Sequence, residues 1–150
     1  KGMEIKKIEN NKHDYMSLLL LADPEERMIM RYLSDGDLYI LKNEKGTIGA
    51  AVIYPLGDGG CELKNIAVAE EFQGKGIGKT FLKRLMQIAA EDYEYMLVGT
   101  TSGTEGFYIS SGFVYSHTIP GFFVDNYSGP IFENGVQCID MRCFKKKLRE

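Results

Sequence analysis

The sequence predicts an α+β fold, in which a mixed, mostly antiparallel sheet is flanked by helices. Three observations indicate it: three strand-like runs separated by tight turns, an amphipathic helix directly after them, and a further helix between later strands. The chain has 150 residues, of which 44% are hydrophobic and 26% charged, values typical of one globular domain. We therefore expect a single domain over residues 1–150.

The N-terminal third is expected to form one strand and two helices. Apolar and polar residues alternate over 3–8, which predicts a first strand, and an apolar run predicts a helix over 14–22. The stretch Asp23-Pro24-Glu25-Glu26 predicts the start of a second helix, with Asp23 as its N-cap and acidic residues in its first turn. This helix should end near Leu33, before Ser34-Asp35-Gly36.

Three strands in a meander follow. They are predicted over 37–43, 47–56 and 61–69, where β-branched and other apolar residues are frequent. Turn-forming residues at 43–46 and glycines at 57–60 separate them, so successive strands should pair antiparallel.

The second half adds two helices and further strands. Apolar residues recur with helical spacing from Ile77 to Ala89. Ser102 and Glu105 match a capping box, which predicts a short helix that ends at Gly112. Strands are predicted over 95–100, 113–119 and 137–144, and a long loop over 120–136.

Charge and cysteine content exclude several classes of function. With 18 basic and 21 acidic residues the net charge is −3, which argues against sequence-independent binding to nucleic acid. No apolar run approaches the roughly 20 residues that span a bilayer. The three cysteines lack metal-type spacing and are expected to be free thiols in a reducing compartment. We expect a cytoplasmic protein with no metal, membrane or nucleic-acid partner.

A glycine-rich stretch separates the meander from the amphipathic helix. It reads Gln73-Gly74-Lys75-Gly76-Ile77-Gly78-Lys79-Thr80. Glycine allows positive φ and close approach of a ligand, so successive N–H groups can turn into one concavity at the positive end of the helix. Such a concavity binds an anion, most often a phosphate.

Two familiar phosphate motifs fail here. A Walker A loop needs glycine six residues before its Lys-Thr pair, but that position holds Gln73, which counts against a P-loop NTPase. A dinucleotide motif that starts at Gly74 or Gly76 needs glycine at 79 or 81, where other residues stand. The pattern that remains is Q-x-x-G-x-G, formed by Gln73, Gly76 and Gly78.

Within residues 63–78, this pattern resembles the acetyl-CoA-binding motif of the GCN5-related N-acetyltransferases (GNAT family). Residues 107–113, Phe-Tyr-Ile-Ser-Ser-Gly-Phe, resemble the family's second signature, a tyrosine-bearing helix followed by Gly-Phe and a strand. The order of predicted elements matches over essentially the whole chain. The resemblance implies the GNAT fold and acetyl-CoA as co-substrate.

The resemblance also implies how the coenzyme is bound. Backbone N–H groups of the loop would hold the pyrophosphate, and the preceding strand would pair with the pantetheine arm by β-augmentation. Lys75 and Lys79 either add attraction to the phosphates or are merely solvated. The implied coenzyme-binding residues are Ile66, Ala67, Val68, Gln73, Gly74, Lys75, Gly76, Ile77, Gly78, Lys79 and Tyr108.

Catalytic roles follow from the same resemblance. Tyr108 stands where the family carries its general acid, and its alternative role is a core residue beside Phe107. Glu62, at the start of the strand, is the candidate base, and its alternative role is a surface carboxylate paired with Lys64. His117 is a second candidate base. A backbone N–H near Ile66 is expected to meet the oxyanion, and Thr100-Thr101-Ser102 replaces an asparagine that many members carry.

The segment 120–136 is the candidate acceptor site. Its aromatic residues argue against disorder, and long ordered loops are often functional. We expect Phe122, Phe123 and Tyr127 to form walls, with Asp125 or Glu133 attracting an ammonium group. The alternative is a loop that packs its aromatic residues on the core or on a dimer partner.

The resulting hypothesis is an N-acetyltransferase that transfers the acetyl group of acetyl-CoA to a primary amine by direct attack in a ternary complex. The alternative is a non-catalytic CoA-binding or sensory module on the same fold. The expected acceptor is a small-molecule or peptide amine. A homodimer, common in the resembled family, is an open expectation.

Overall fold

The computed structural model describes residues 2–150, so Lys1 of the predicted domain lies outside the described part. A seven-stranded sheet has the order β1-β2-β3-β4-β5-β9-β6, and only the β4–β5 pair is parallel. This confirms the predicted α+β fold. The strands of the sheet are β1 (Glu4–Ile8), β2 (Asp37–Asn43), β3 (Gly46–Pro55), β4 (Gly60–Val68), β5 (Tyr95–Thr100), β6 (Val114–Ile119) and β9 (Met141–Lys147).

Helices cover both faces of the sheet and bury two main cores, and a third, smaller cluster contains Phe123, Met141 and Cys143. Alternate β3 residues point to opposite faces, so Ala50 packs with the helices of the N-terminal third, while Ala51 packs with the long helix that follows the glycine loop. In the N-terminal third a 3₁₀ turn (Lys12–Tyr15) precedes the first helix. The helices are α1 (Met16–Leu19), α2 (Glu26–Leu33), α3 (Ile77–Ala89), α4 (Glu105–Ile109) and α5 (Phe122–Asn126).

Strand β4 changes partners along its length. Its first half pairs in parallel with β5 as far as Leu63, opposite Val98. Beyond that point, residues 65–68 pair with β3 alone among the described residues. The β3–β4 register shifts by one residue at Lys64, which is the extra residue of a β-bulge. Strands β4 and β5 therefore diverge beyond the bulge, which leaves one edge of β4 open.

The predicted N-cap of the second helix is wrong. Helix α2 begins at Glu26, its N-cap is Glu25, and no side chain caps it. The Asp23 carboxylate instead accepts hydrogen bonds from the hydroxyls of Tyr32 and Tyr127. Two tertiary hydrogen bonds thus take the place of the local bond that the sequence pattern predicts.

The predicted capping box at Ser102 and Glu105 is also wrong. Glu105 forms an ion pair with Arg142, with Nε and Oε2 2.7 Å apart, and Thr104 occupies the N-cap without a side-chain bond to the helix. Helix α4 ends at Ile109, earlier than predicted, and a turn carries the chain to Gly112 at φ 94°. That positive φ agrees with the left-handed position predicted for this glycine.

The segment 120–136, predicted as a loop, contains regular structure. It holds helix α5 and a small hairpin of β7 (Ile131–Glu133) and β8 (Val136–Cys138). The hairpin turn is Asn134-Gly135, with φ of 53° and 79°, as the Asn-Gly pair favours. The last strand consequently begins at Met141 and not at Gln137. Among residues 2–150, no helix has the length and apolar character needed to span a membrane.

Candidate active site

A cavity of about 850 Å³ opens where β4 and β5 diverge. Its walls come from the α1–α2 connection, α2, β4, the glycine loop, the end of β5, α4 and α5. The volume lies within the range of small-molecule sites, which is on the order of 300–1,000 Å³.

The glycine loop adopts the conformation that its sequence predicts. Gly74 and Gly76 have φ of 76° and 80°, and Gly76 is the left-handed N-cap of α3. Among residues 2–150 no side chain caps this helix, so its first N–H groups are open to an anion. The Gln73 side chain donates a hydrogen bond of 2.8 Å to the carbonyl of Val68, which ties the loop to β4.

Gly78 indicates whether the concavity at the glycine loop has room for a ligand. Its φ is not positive, and a Cβ built on it would meet only the Phe107 ring, at an ordinary contact distance of 3.6 Å. Neither backbone strain nor internal packing therefore requires glycine here. Gly78 lines the cavity, so the space that its missing side chain leaves is available to a ligand that approaches the start of α3.

The predicted coenzyme-binding residues divide into two groups. Ala67 is buried, Ile77 packs toward the α3 core, and Lys75 is exposed, with Nζ 5.8 Å from the centroid of the Phe72 ring. None of these three lines the cavity. The predicted residues that do are Ile66, Val68, Gln73, Gly74, Gly76, Gly78, Lys79 and Tyr108.

Tyr108 lies both in the hydrophobic core and at the cavity. Its ring is buried edge-to-face between Phe107 and Phe113, with centroid distances of 5.1 and 5.5 Å. The residue also lines the cavity, and its hydroxyl makes no hydrogen bond within residues 2–150. Burial raises the pKa of Tyr108 above its ordinary value, so the phenol remains protonated at neutral pH.

Glu62 and His117, the two candidate bases, lie in different places. Glu62 lines the cavity, its side chain is 17% exposed, and its Oε1 lies 3.1 Å from Lys64 Nζ. His117 is exposed on β6, with Nδ1 3.0 Å from Ser116 Oγ, and lies outside the cavity lining. The geometry therefore brings only Glu62 to the cavity.

The three predicted aromatic walls lie together. Phe123 and Tyr127 stack with centroids 5.9 Å apart, and Phe122 contacts both rings from the edge. All three line the cavity, whereas Asp125 is exposed and does not. Glu133 does line it, but its Oε1 accepts hydrogen bonds from Thr101 Oγ1 and the Gly103 N–H.

Sequence reasoning missed a buried polar network on the same side of the cavity. Asn65 donates to the carbonyl of Leu19 and to the Tyr32 hydroxyl, at 3.0 and 3.1 Å. The Tyr32 and Tyr127 hydroxyls donate to the two oxygens of Asp23, at 3.0 and 2.7 Å. Burial raises the pKa of both tyrosines, so they remain donors. The four residues come from distant positions, so no local pattern indicated the network.

Comparisons with known proteins all indicate similarity to one family. The family model described as "Acetyltransferase (GNAT) domain" matches residues 34–115. An uncharacterized N-acetyltransferase of Bacillus subtilis, YvbK, is 31% identical over 137 residues, which cover 89% of this chain and 88% of that protein. A GNAT family acetyltransferase from Elizabethkingia anophelis with acetyl-CoA bound has a TM-score of 0.93 and 37% identity, covering 98% of this chain and 99% of that one. An IAA acetyltransferase from Bacillus cereus has a TM-score of 0.89 and 34% identity, covering 97% and 99%.

Proposed function

The chain belongs to the GNAT acetyltransferase family, and from this premise we propose that it transfers the acetyl group of acetyl-CoA to a primary amine within a ternary complex. Membership of the family makes the chain an acyltransferase. The observation that carries the proposal is one cavity that joins the glycine loop, the open edge of β4 and the Tyr108 hydroxyl.

We name the glycine loop (residues 73–79), the open β4 edge (65–68) and Tyr108 the coenzyme half of the cavity. Open N–H groups at the start of α3 suit a pyrophosphate. Main-chain amides along the β4 edge suit a ligand that itself carries amide groups, as the pantetheine arm does. Lys79 lines the cavity and adds positive charge near the phosphates, whereas Lys75 points elsewhere.

We name Asp23, Tyr32, Asn65, Tyr127 and Glu62, with the aromatic residues of α5, the acceptor half. Bound acetyl-CoA supplies a thioester, in which the C–S bond breaks as the amine nitrogen forms its bond to the acyl carbon. Glu62 accepts the proton that the amine loses, directly or through water. The Tyr108 hydroxyl donates a proton to the leaving sulfur, and the N–H near Ile66 stabilises the oxyanion.

Ligand binding and turnover test this proposal separately. In titration calorimetry we expect heat of binding with acetyl-CoA and none with Mg-ATP. With a panel of primary amines, thiol release should follow. No heat with millimolar acetyl-CoA would contradict the proposal, and binding without thiol release would favour the non-catalytic CoA-binding module.

A matched pair of glycine substitutions tests the cradle itself. Gly78→Ala and Gly106→Ala each place a methyl group in a helix where it meets no close atom, and each should stabilise the fold by up to about 1 kcal/mol. Of these two glycines, Gly78 lines the cavity and Gly106 does not. We therefore expect Gly78→Ala to weaken acetyl-CoA binding about tenfold or more, while Gly106→Ala leaves the dissociation constant unchanged. Equal affinities would contradict the proposed site.

We also propose a cytoplasmic location. Cys61, Cys138 and Cys143 are all free thiols. Burial raises the pKa of Cys61 to about 12 and that of Cys143 to about 11, so both are unreactive at neutral pH. Three unpaired cysteines suit a reducing compartment.

A further inference from the structure

We propose that Asp23 binds the positively charged group of the acceptor, and that the acceptor is a small cationic amine with a flat apolar body. This inference rests on the proposed function, because it concerns the second substrate of the same site. It assigns to Asp23 the role that the sequence pattern suggested for Asp125 or Glu133.

The Asp23 carboxylate lacks a cationic partner. It is 8% exposed and forms no ion pair with any of residues 2–150. Its two bonded partners, Tyr32 and Tyr127, are neutral hydroxyls. Hydrogen bonds from neutral donors lower the cost of burying a carboxylate but do not neutralise its charge. A cation from outside the chain would do so.

The network also has spare capacity to accept hydrogen bonds. Each Asp23 oxygen receives one tyrosine hydroxyl and has a further lone pair. The buried Oδ1 of Asn65 has no hydrogen-bond partner within residues 2–150. Unused acceptors without matching donors favour a ligand that only donates, and an ammonium group is such a ligand.

The side chains next to Asp23 suit an apolar body. The rings of Phe122, Phe123 and Tyr127 form a continuous wall of the cavity. Such rings also attract a cation over their faces. Because the pantetheine arm would share the same cavity of about 850 Å³, the acceptor must be small.

The basic residues on this side of the cavity are already engaged. Arg31 Nη1 donates to Asn126 Oδ1 at 3.1 Å, and Lys64 pairs with Glu62. Arg31 also lines the cavity and forms no ion pair with any of residues 2–150, but it is exposed to solvent, whereas Asp23 is buried. A buried charge gains more from an opposite charge than a solvated one does, which favours a cationic acceptor over an anionic one.

Binding to the CoA-saturated protein tests the inference without turnover. Calorimetry would compare phenethylamine with its neutral analogue 2-phenylethanol, with phenylalanine, which adds a carboxylate, and with propylamine, which lacks the ring. We expect phenethylamine to bind at least about tenfold more tightly than each of the others, as a charge-assisted hydrogen bond or a buried ring provides.

Asp23→Asn should weaken phenethylamine binding about tenfold to a hundredfold, leave 2-phenylethanol within about twofold, and leave CoA affinity unchanged. Asp35→Asn is the matched control, because it makes the same change of charge on an exposed turn outside the cavity. With acetyl-CoA as donor, the Asp23 variant should raise KM for phenethylamine more than it lowers kcat.

Several results would overturn the inference while the proposed function stands: tighter binding of phenylalanine or 2-phenylethanol, no binding of phenethylamine to a protein that binds CoA, or an unchanged phenethylamine affinity in Asp23→Asn. The comparison of the four ligands on the wild-type protein tests the inference even if the Asp23→Asn variant does not fold. A wild-type protein that binds neither CoA nor acetyl-CoA would instead refute the proposed function.

Discussion

Main-chain groups of one continuous stretch, residues 65–79, form most of the coenzyme half, whereas side chains from four separate segments meet in the acceptor half. The difference lies in what determines each geometry. Glycine itself permits the positive φ at Gly74 and Gly76, so the conformation of the loop is determined by its own sequence. The contact of Asp23 with Tyr127 spans 104 positions and exists only after folding. A main-chain site is thus encoded locally, and a side-chain site is not.

Changes in the acceptor half should affect catalysis without affecting the coenzyme, and Glu62 gives the largest effect. If Glu62 accepts the amine proton, Glu62→Gln should lower kcat/KM by about 10²- to 10³-fold, with acetyl-CoA affinity retained. His117→Gln, outside the cavity, should leave kcat/KM within about twofold. Steady-state thiol release measures both. The opposite ranking would assign the base to His117, and two small effects would assign it to water.

Tyr108→Phe tests whether a side chain matters in the coenzyme half. Its hydroxyl has no partner within residues 2–150, so its removal should not lower the free energy of unfolding. We expect kcat to fall about 10²-fold, the lower end for a general acid, because a thiolate with a thiol pKa near 8.5 leaves readily. Acetyl-CoA affinity should stay the same. An unchanged kcat would show that Tyr108 is a core residue without a catalytic role.

The smallest effect concerns the pH dependence of stability in the acceptor half. The pKa of Tyr32 is raised in the folded state from 10.0, mainly by burial, so its contribution is complete below pH 10 and is lost as the unfolded chain ionises above it. Tyr32→Phe should cost about 1–3 kcal/mol at pH 8. Above pH 10, the contribution of Tyr32 to the free energy of unfolding should fall by about 1.4 kcal/mol per pH unit in the wild type. The Tyr32→Phe variant has no such group to ionise.

Urea unfolding at pH 8, 10 and 11 measures this difference between wild type and Tyr32→Phe. The gap between their unfolding free energies should narrow as the pH rises above 10. A gap that stays constant or widens would show that burial of Tyr32 does not carry the effect.

The same contrast explains which parts of the fold were predictable. The meander, α3 and β5 agree with the sequence patterns to within a few residues, because periodicity and glycine turns act over short distances. The hairpin of β7 and β8 was missed although Asn134-Gly135 marks it, since the surrounding residues looked like a loop. A stricter weighting of that pair would have found it.

The differences between these expected and observed side-chain positions have one physical origin. Asp23 and Glu105 stand where helix caps are expected, yet both side chains bind partners far along the chain. Asp125 looked suitable for an ammonium because it lies beside the aromatic residues in sequence, but α5 directs it to solvent. Phe122 lines the cavity and Asp125 is exposed, since helical geometry separates sequence neighbours onto different faces.

The extra residue at Lys64 determines which side chains of β4 can act together. In an uninterrupted strand, positions 62 and 65 would alternate to opposite faces. Because Glu62 pairs with Tyr54 and Asn65 with Val52, the insertion brings both onto the face that carries α1 and α2. This phase shift of one residue places Glu62 and the polar network on the same face of the sheet. A regular strand that kept Lys64 in the ladder would turn Asn65 toward α3 and separate the two, whereas deletion of Lys64 should remove the bulge and leave Asn65 opposite Val52.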